Sequence, residues 1–336
     1  MCKLVGFTYD LKSEYLKEKF SLEDVVEFDT EQTIEEITSA LTWAGYKVEQ
    51  VGSFRNLLSQ LSKGKSWDIV FNIAEGISGR NRESQVPLLL EYYKIPYTGS
   101  DALTMGICLD KVVSKKIVSY HNLPTPKFFV VSNIKELSKI KEIDLSFPVM
   151  VKPSCEGSSK GLSKNAVVYD KQKLKEVCEE KLVKYKQPVL IEEFIYGKEF
   201  TVVVMGNKYS EKFPIKSFPP VQIAVNGKTD LGEEFFTYER IENDETSYIC
   251  PSAEPENLLS NLEKITSEIY KVLEVRDFGR IDFRVDYDNN IYFLECNPLP
   301  HLGKIDVFPL VANAVSMSYE EMISNIVKIA LDRYNI

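Results

Sequence analysis

With 336 residues, the chain is long enough for two or three domains and a substantial core. Its composition, 44% hydrophobic and 27% charged, is that of a soluble globular enzyme, and a net charge of −9 argues against general binding to nucleic acid or to anionic membranes. Six cysteines with no C-x-x-C pair, beside only two histidines, argue against a disulfide framework and a structural zinc site.

The N-terminus turns polar by Thr8-Tyr9-Asp10, too soon for a signal peptide. No apolar run reaches about 18 residues, the length a spanning helix needs. A reduced, cytoplasmic setting is expected. Lys3–Thr8 reads as a short apolar strand. Glu31–Trp43 carries Ile34, Ile37 and Leu41 at helical spacing and is stopped by Gly45. Tyr46–Val51 and Asp68–Ile73 read as further strands, and a helix runs from about Ser84 to Tyr93. This β-α-β-α-β order predicts a doubly wound parallel sheet over residues 1–100. Ligands of such sheets sit beyond the carboxyl ends of strands. The loop Glu75–Glu83, with Glu75, Arg80 and Arg82, is therefore a candidate substrate surface, its alternative being a solvated charged loop with an Arg82–Glu83 surface pair.

Residues 101–190 read as a smaller α+β unit. Asp110–His121 is helical, Pro124-Thr125-Pro126 breaks it, and strands follow at Phe128–Val131, Pro148–Lys152 and Gly161–Tyr169. Asp170–Lys184 is an amphipathic helix and Val189–Glu193 a strand. Between Lys152 and Gly161 lies a Gly/Ser-rich turn, Glu156-Gly157-Ser158-Ser159. Glycines let the backbone approach a ligand, successive N–H groups form an anion-binding concavity, and Lys152 adds a point charge for a phosphate. It is not a Walker A loop. A connector such as Glu192-Glu193-Phe194-Ile195 can hold an adenine between apolar side chains, with Glu199 accepting from ribose hydroxyls; an ordinary hinge looks similar.

Residues 191–336 form a third unit. Glu256–Leu273 is an amphipathic helix and Tyr319–Tyr334 a terminal one. Between them, two strands flank the turn Asp286–Asn290. Such a hairpin gathers Asp282, Glu295 and Asn297 as hard oxygen ligands, a set that suits Mg²⁺, which takes a few carboxylates plus substrate phosphates. The alternative is a strand pair with incidental acids on its solvent face.

The order Lys111, Lys152-Pro153, Glu156–Gly161, Glu192–Glu199, Arg280/Asp282 and Glu295/Asn297 resembles the ATP-grasp superfamily, and within it the D-alanine–D-alanine ligase family. The resemblance spans about residues 68–312 and includes Ile95–Ser100, Leu109-Asp110-Lys111 and Cys250-Pro251. It implies an ATP-grasp fold behind the N-terminal parallel-sheet domain. Lys111 and Lys152 would then bind ATP phosphates under the Glu156–Gly161 turn. Glu192, Phe194 and Ile195 would line the adenine pocket and Glu199 take the ribose. Asp282, Glu295 and Asn297 would hold two Mg²⁺, with Mn²⁺ as an alternative ion. Arg280 would face the γ-phosphoryl group, with Ser158 and Arg240 as its catalytic neighbours.

The implied reaction joins a small carboxylic acid to an amine through an acyl phosphate. A kinase that stops at a phosphorylated product, or D-alanyl-D-alanine synthesis itself, is the alternative. Departures fall at the substrate end. Phe7–Tyr15 lacks the family's Gly-rich motif, Glu75-Gly76 stands for its His-Gly, and Arg240-Ile241 for its Lys-Tyr. His301-Leu302 stands for its Gly-Met, and Asp306 for a Ser. Glu75, Arg80, Arg82, His301 and Asp306 are accordingly the candidate contacts to amino-acid or other carboxylic-acid substrates that differ from the family's own. Homodimerisation is expected from the resemblance alone.

Overall fold

The computed structural model describes residues 2–162, 166–237, 240, 243 and 245–336. The first sheet is parallel, with β1 (Leu4–Thr8) between β2 (Lys47–Gly52) and β3 (Ile69–Asn72). Its side chains alternate between two cores, as the pleat dictates. Val5, Phe7, Ile69 and Phe71 face one with Ile34, Ile37 and Leu41. Val70 faces the other with Leu57, Leu61 and Leu90. Helices therefore cover both faces: α2 (Glu31–Trp43) on one, α3 (Phe54–Leu61) and α4 (Gln85–Tyr93) on the other. A short α1 (Lys12–Lys17) follows β1.

The second sheet is antiparallel, in the order β4 (Phe128–Val131), β7 (Val189–Glu193), β5 (Val149–Pro153), β6 (Val167–Val168). Helix α7 (Lys171–Tyr185), capped by Asp170, packs Leu174, Val177 and Leu182 against it. The strand expected over Gly161–Tyr169 shrinks to Val167–Val168; residues 163–165 lie outside the described residues.

The third sheet runs β11 (Thr246–Ile249), β10 (Val221–Val225), β8 (Lys198–Met205), β12 (Phe278–Val285), β13 (Ile291–Asn297), with β9 (Lys216–Ser217) beside β8. One face packs on α8 (Glu256–Val272) and on two helices that precede the second sheet in sequence, α5 (Ala102–Leu109) and α6 (Lys111–Tyr120). Helix α5 escapes a periodicity reading because Ala-Leu-Thr-Met-Gly-Ile-Cys-Leu has no charged face to set a phase.

After β13, α9 (Val307–Ala314) and α10 (Tyr319–Tyr334) carry the chain back to α2. A capping box, Ser318 with Glu321, starts α10. Phe308, Met322 and Ile326 enter the same core as Val5 and Phe7, and Phe278 of β12 joins them, so the first and third sheets share one hydrophobic interior. Arg333 near the end of α10 locks this arrangement. Its guanidinium donates to fully buried Asp277 at 2.8 and 3.0 Å and to the Tyr97 and Gly99 carbonyls. Among the described residues no helix is long and apolar enough to cross a membrane.

Removing one partner of a buried ion pair leaves the other uncompensated. Arg333→Met is expected to lower the unfolding free energy by about 3–5 kcal/mol, read as a shifted urea midpoint with unchanged slope.

Candidate active site

The register of the third sheet builds the centre of the site. Asp282 lies opposite Glu295 on β13 and opposite Thr201 on β8. Ile281 and Phe283 turn into the core, so Arg280, Asp282 and Arg284 share the other face. A bulge after Asp282 skips one residue of β13, and such bulges re-aim side chains next to sites. Thr201 donates to Asp282 Oδ1 at 2.5 Å and the Asn297 amide to Oδ2 at 2.9 Å. Arg280 Nε lies 3.3 Å from Asp282 and its Nη1 3.7 Å from Asp306. These acids are not on a solvent face: the Asp282 side chain is 14% exposed. Burial, and Glu295 beside it, push the Asp282 carboxyl above its ordinary range against the pull of Arg280. Burial also opposes ionisation of Glu295, but Lys111 and Lys152 hold its carboxyl below the ordinary value. Glu295 Oε1 and the Asn297 side-chain carbonyl have no hydrogen-bond partner among the described residues. Two cross-strand carboxylates and an amide oxygen, partly unsatisfied and walled in, suit a hard divalent cation.

Lysines converge from the other side. Asp110 caps α6 by accepting from the Val112 and Val113 N–H groups, which sets Lys111 at the first helical position. Lys111 Nζ reaches Glu295 at 2.7 Å and the Glu156 carbonyl at 2.6 Å. One turn later, fully buried Lys115 binds Glu192 at 2.9 Å, and Lys152, at the end of β5, binds the other Glu192 oxygen at 2.5 Å. Burial alone would raise the Glu192 carboxyl; the two lysines pull it down to about 2. Glu192 is thus the anion that holds two lysines in place, and its carboxylate is not free for a base. Lys115 is missed by reading the sequence, although its i+4 spacing from Lys111 puts both on one helix face.

The Gly/Ser turn borders the cavity through Gly157, Ser158 and Ser159. The left-handed conformations fall on Ser158 (φ 45°), Ser159 (φ 57°) and Gly161 (φ 79°), not on Gly157. Gly157 is needed for space instead: a Cβ there would overlap the Glu27 carboxylate. The Glu156 carboxylate faces away, bound to Lys160 at 3.2 Å and to Gln187 at 2.6 Å, so this residue offers only its carbonyl to the Lys111 region.

Beyond the lysines, Met150, Leu162, Phe194, Ile195 and Phe235 make an apolar end. Arg284 stacks over Phe194, donates to the Ile195 carbonyl at 3.0 Å, and lies 3.2 Å from Glu199. Burial raises the Glu199 carboxyl despite this arginine. The cavity is about 430 Å³ and runs from this end past Asp282 to Glu75, His301 and Asp306.

At the far end, His301 lies 3.4 Å from both Asp29 and Asp306. Burial pushes the imidazole down, but Asp306 and Asp29 raise it above its ordinary value. Burial raises Asp29 to about 6, opposed by His301. Gly303 makes room for the ring, since a Cβ there would press on it. Three expected contacts are corrected. Arg80 turns out of the cavity to Asp110, 2.7 Å away. Arg82 is buried, not a surface partner of Glu83; its Nη2 donates to both Glu27 oxygens at 2.8 and 2.9 Å and its Nη1 to the Cys155 carbonyl. Arg240 is outside the cavity, bound to Glu234, with Glu245 at 3.9 Å; Ile241 beside it lies outside the described residues. In each case a protein carboxylate already occupies the guanidinium. Glu27 and Asp29 come from a stretch whose sequence shows no periodic pattern.

A family model described as "D-ala D-ala ligase C-terminus" matches residues 117–328. A D-alanine–D-alanine ligase of Syntrophotalea carbinolica is 33% identical over 291 residues, which cover 86% of this chain and 87% of that one. One from Desulforamulus reducens is 31% identical over 309 residues, covering 89% and 93%. The crystal structure of D-alanine–D-alanine ligase from Bacillus anthracis superposes with a TM-score of 0.75 at 26% identity, over 100% of both chains.

The two lysines on Glu192 make stability pH-dependent. A carboxyl lowered from 4.5 to about 2 contributes stability at neutral pH that is lost as pH falls below about 4.5 toward 2. Glu192→Gln is expected to cost about 3–5 kcal/mol at pH 7 by leaving Lys115 and Lys152 unpaired, and to flatten that acid limb. Urea unfolding at pH 7 and pH 3 reads both effects.

Proposed function

From the premise that the chain belongs to the D-alanine–D-alanine ligase family of ATP-grasp enzymes, and so is an ATP-dependent, ADP-forming amide ligase that uses a divalent metal, we propose the residue roles and the substrate class that follow. Two small molecules are joined, at least one an amino acid, and the pair differs from two D-alanines. The observation that carries this reading is the single cavity that joins the apolar, lysine-lined end to the Glu75–His301–Asp306 end across Arg280 and Asp282.

Lys111 and Lys152 hold the ATP phosphates beneath the turn whose Ser158 and Ser159 border the cavity. Phe194, Ile195 and Phe235 flank the adenine, and Glu199 accepts from the ribose. Asp282, Glu295 and Asn297 hold Mg²⁺, two ions in this reading, with Mn²⁺ as a substitute. Bound there, the metal neutralises phosphate charge.

The chemistry begins with a carboxylate, which is a poor electrophile toward an amine. Its oxygen takes the γ-phosphoryl group, releasing ADP, and the acyl phosphate so formed has a good leaving group. Arg280 stays charged because Asp282, Asp306 and Tyr248 outweigh its burial. It stabilises the transferring phosphoryl group and then the oxyanion of the tetrahedral intermediate. His301, held between Asp29 and Asp306, in its neutral form, which those carboxylates confine to pH above its raised pKa, accepts the proton of the incoming ammonium and so makes the nitrogen a nucleophile. Collapse expels phosphate and leaves the amide. The protein acts in the cytoplasm, as a homodimer in this reading.

Purified protein is expected to release ADP and phosphate only when an acid and an amine are both present, with the amide seen by mass spectrometry. A phosphorylated product accumulating without amine would instead make it a kinase. Arg280→Ala is expected to lower kcat at least about 10²-fold while the protein stays folded; near-normal turnover would overturn its assignment. His301→Gln is expected to lower kcat by about 10²–10⁴ with KM for ATP unchanged, and to remove the acid limb of the kcat–pH profile.

A further inference from the structure

The substrate end of the cavity carries more negative charge than the protein neutralises. Glu27 is gripped by Arg82, and Asp306 by His301 and Arg280. Asp29 shares His301 with Asp306 and has Lys12 nearby; Glu75 and Glu83 remain. Glu83 is 6% exposed and lines the cavity, yet its side chain makes no hydrogen bond among the described residues. Its nearest cation, Arg82, stands 3.8 Å off and is already bidentate on Glu27. Lys111, the other cation it feels, is bound to Glu295. Glu75 has neither hydrogen bond nor ion pair among the described residues.

The backbone forces these two acids together. Gly76 (φ 72°) packs so closely on Arg82 that a Cβ would strike its carbonyl. Burial raises both carboxyls, and each suffers further from its acidic neighbours. Glu75 feels Glu83, Glu27 and Asp29, with Arg82 opposing; Glu83, at about 7, feels Glu27 and Glu295, with Arg82 and Lys111 opposing. Without ligand the pair is therefore held partly protonated. Buried carboxylates without partners are costly, and a cation from outside relieves the cost.

We propose that Glu75 and Glu83 form a cation subsite, and that the amino acid entering this end carries a cationic side chain, ammonium or guanidinium, in addition to its α-ammonium. This rests on the ligase reading above and names the substrate class of that site. A single α-ammonium would neutralise one of these two carboxylates and leave the other unmatched. A basic amino acid supplies the second positive charge, and its ammonium or guanidinium donates to both carboxylates.

The test is calorimetric binding in the presence of Mg²⁺ and a non-hydrolysable ATP analogue, so that no turnover is needed. The probes are the D and L forms of lysine, ornithine and arginine, with norleucine and norvaline as neutral matches. At least one basic amino acid is expected to bind about tenfold or more tightly than its neutral match, as charged hydrogen bonds are worth. In E75Q/E83Q that preference is expected to vanish. Loss of mutual repulsion leaves the variant folded, which its thermal unfolding checks. Equal binding of neutral and basic probes, a preference that survives in E75Q/E83Q, or no binding by any basic amino acid overturns the proposal. ADP release with other acid–amine pairs would persist in those cases, so the ligase reading stands or falls separately.

Discussion

Burying ionised groups in a cavity wall is tolerable only when each has an opposite charge or a hydrogen bond, and this constraint organises the molecule. Glu192 satisfies it for Lys115 and Lys152, and Glu295 for Lys111. These five residues lie on four elements: Lys111 and Lys115 on α6, Lys152 on β5, Glu192 on β7 and Glu295 on β13. The Lys115–Glu192 pair therefore fastens α6, which packs on the third sheet, to the second sheet, while Lys111, Lys152, Glu192 and Glu295 line the cavity.

The second consequence is mechanical. The first and third sheets share one hydrophobic interior through Phe278, Phe308 and α10, and Arg333 ties Asp277 to the Tyr97 and Gly99 carbonyls. The substrate end, built from Asp29 and Glu75 on one side and His301 and Asp306 on the other, is thereby set on a rigid joint. The second sheet has a separate core, in which α7 packs on its strands and on Leu137, Ile140 and Ile143 of the segment between β4 and β5. Arg280 and His301 thus lie on the side of this joint, and Lys152 on the second sheet.

The cavity also has electrical polarity. Lys111 and Lys152 gather at one end, and Glu75 and Glu83 at the other. Arg280 stands at the border, charged and shared between Asp282 and Asp306.

By itself the sequence determined whatever depends on neighbours in the chain. The β-α-β-α-β order of the first unit, the limits of α2 and α10, and the hairpin pairing Asp282 with Glu295 all follow from periodicity, caps and a turn. So does the gathering of Lys111, Lys152, Phe194, Glu199 and Asn297 about one cavity, through motif order. Tertiary structure alone decided which charges pair. Arg80, Arg82 and Arg240 read as free cations in sequence, yet each is held by an acid that the fold brings to it: Asp110, Glu27 and Glu234 respectively. Lys115, Thr201 and Arg284 gained their places from strand register and helix packing, and Asp29 from a segment without periodicity. The reason is that electrostatic partners are chosen by distance and desolvation in space, and neither quantity is written along the chain.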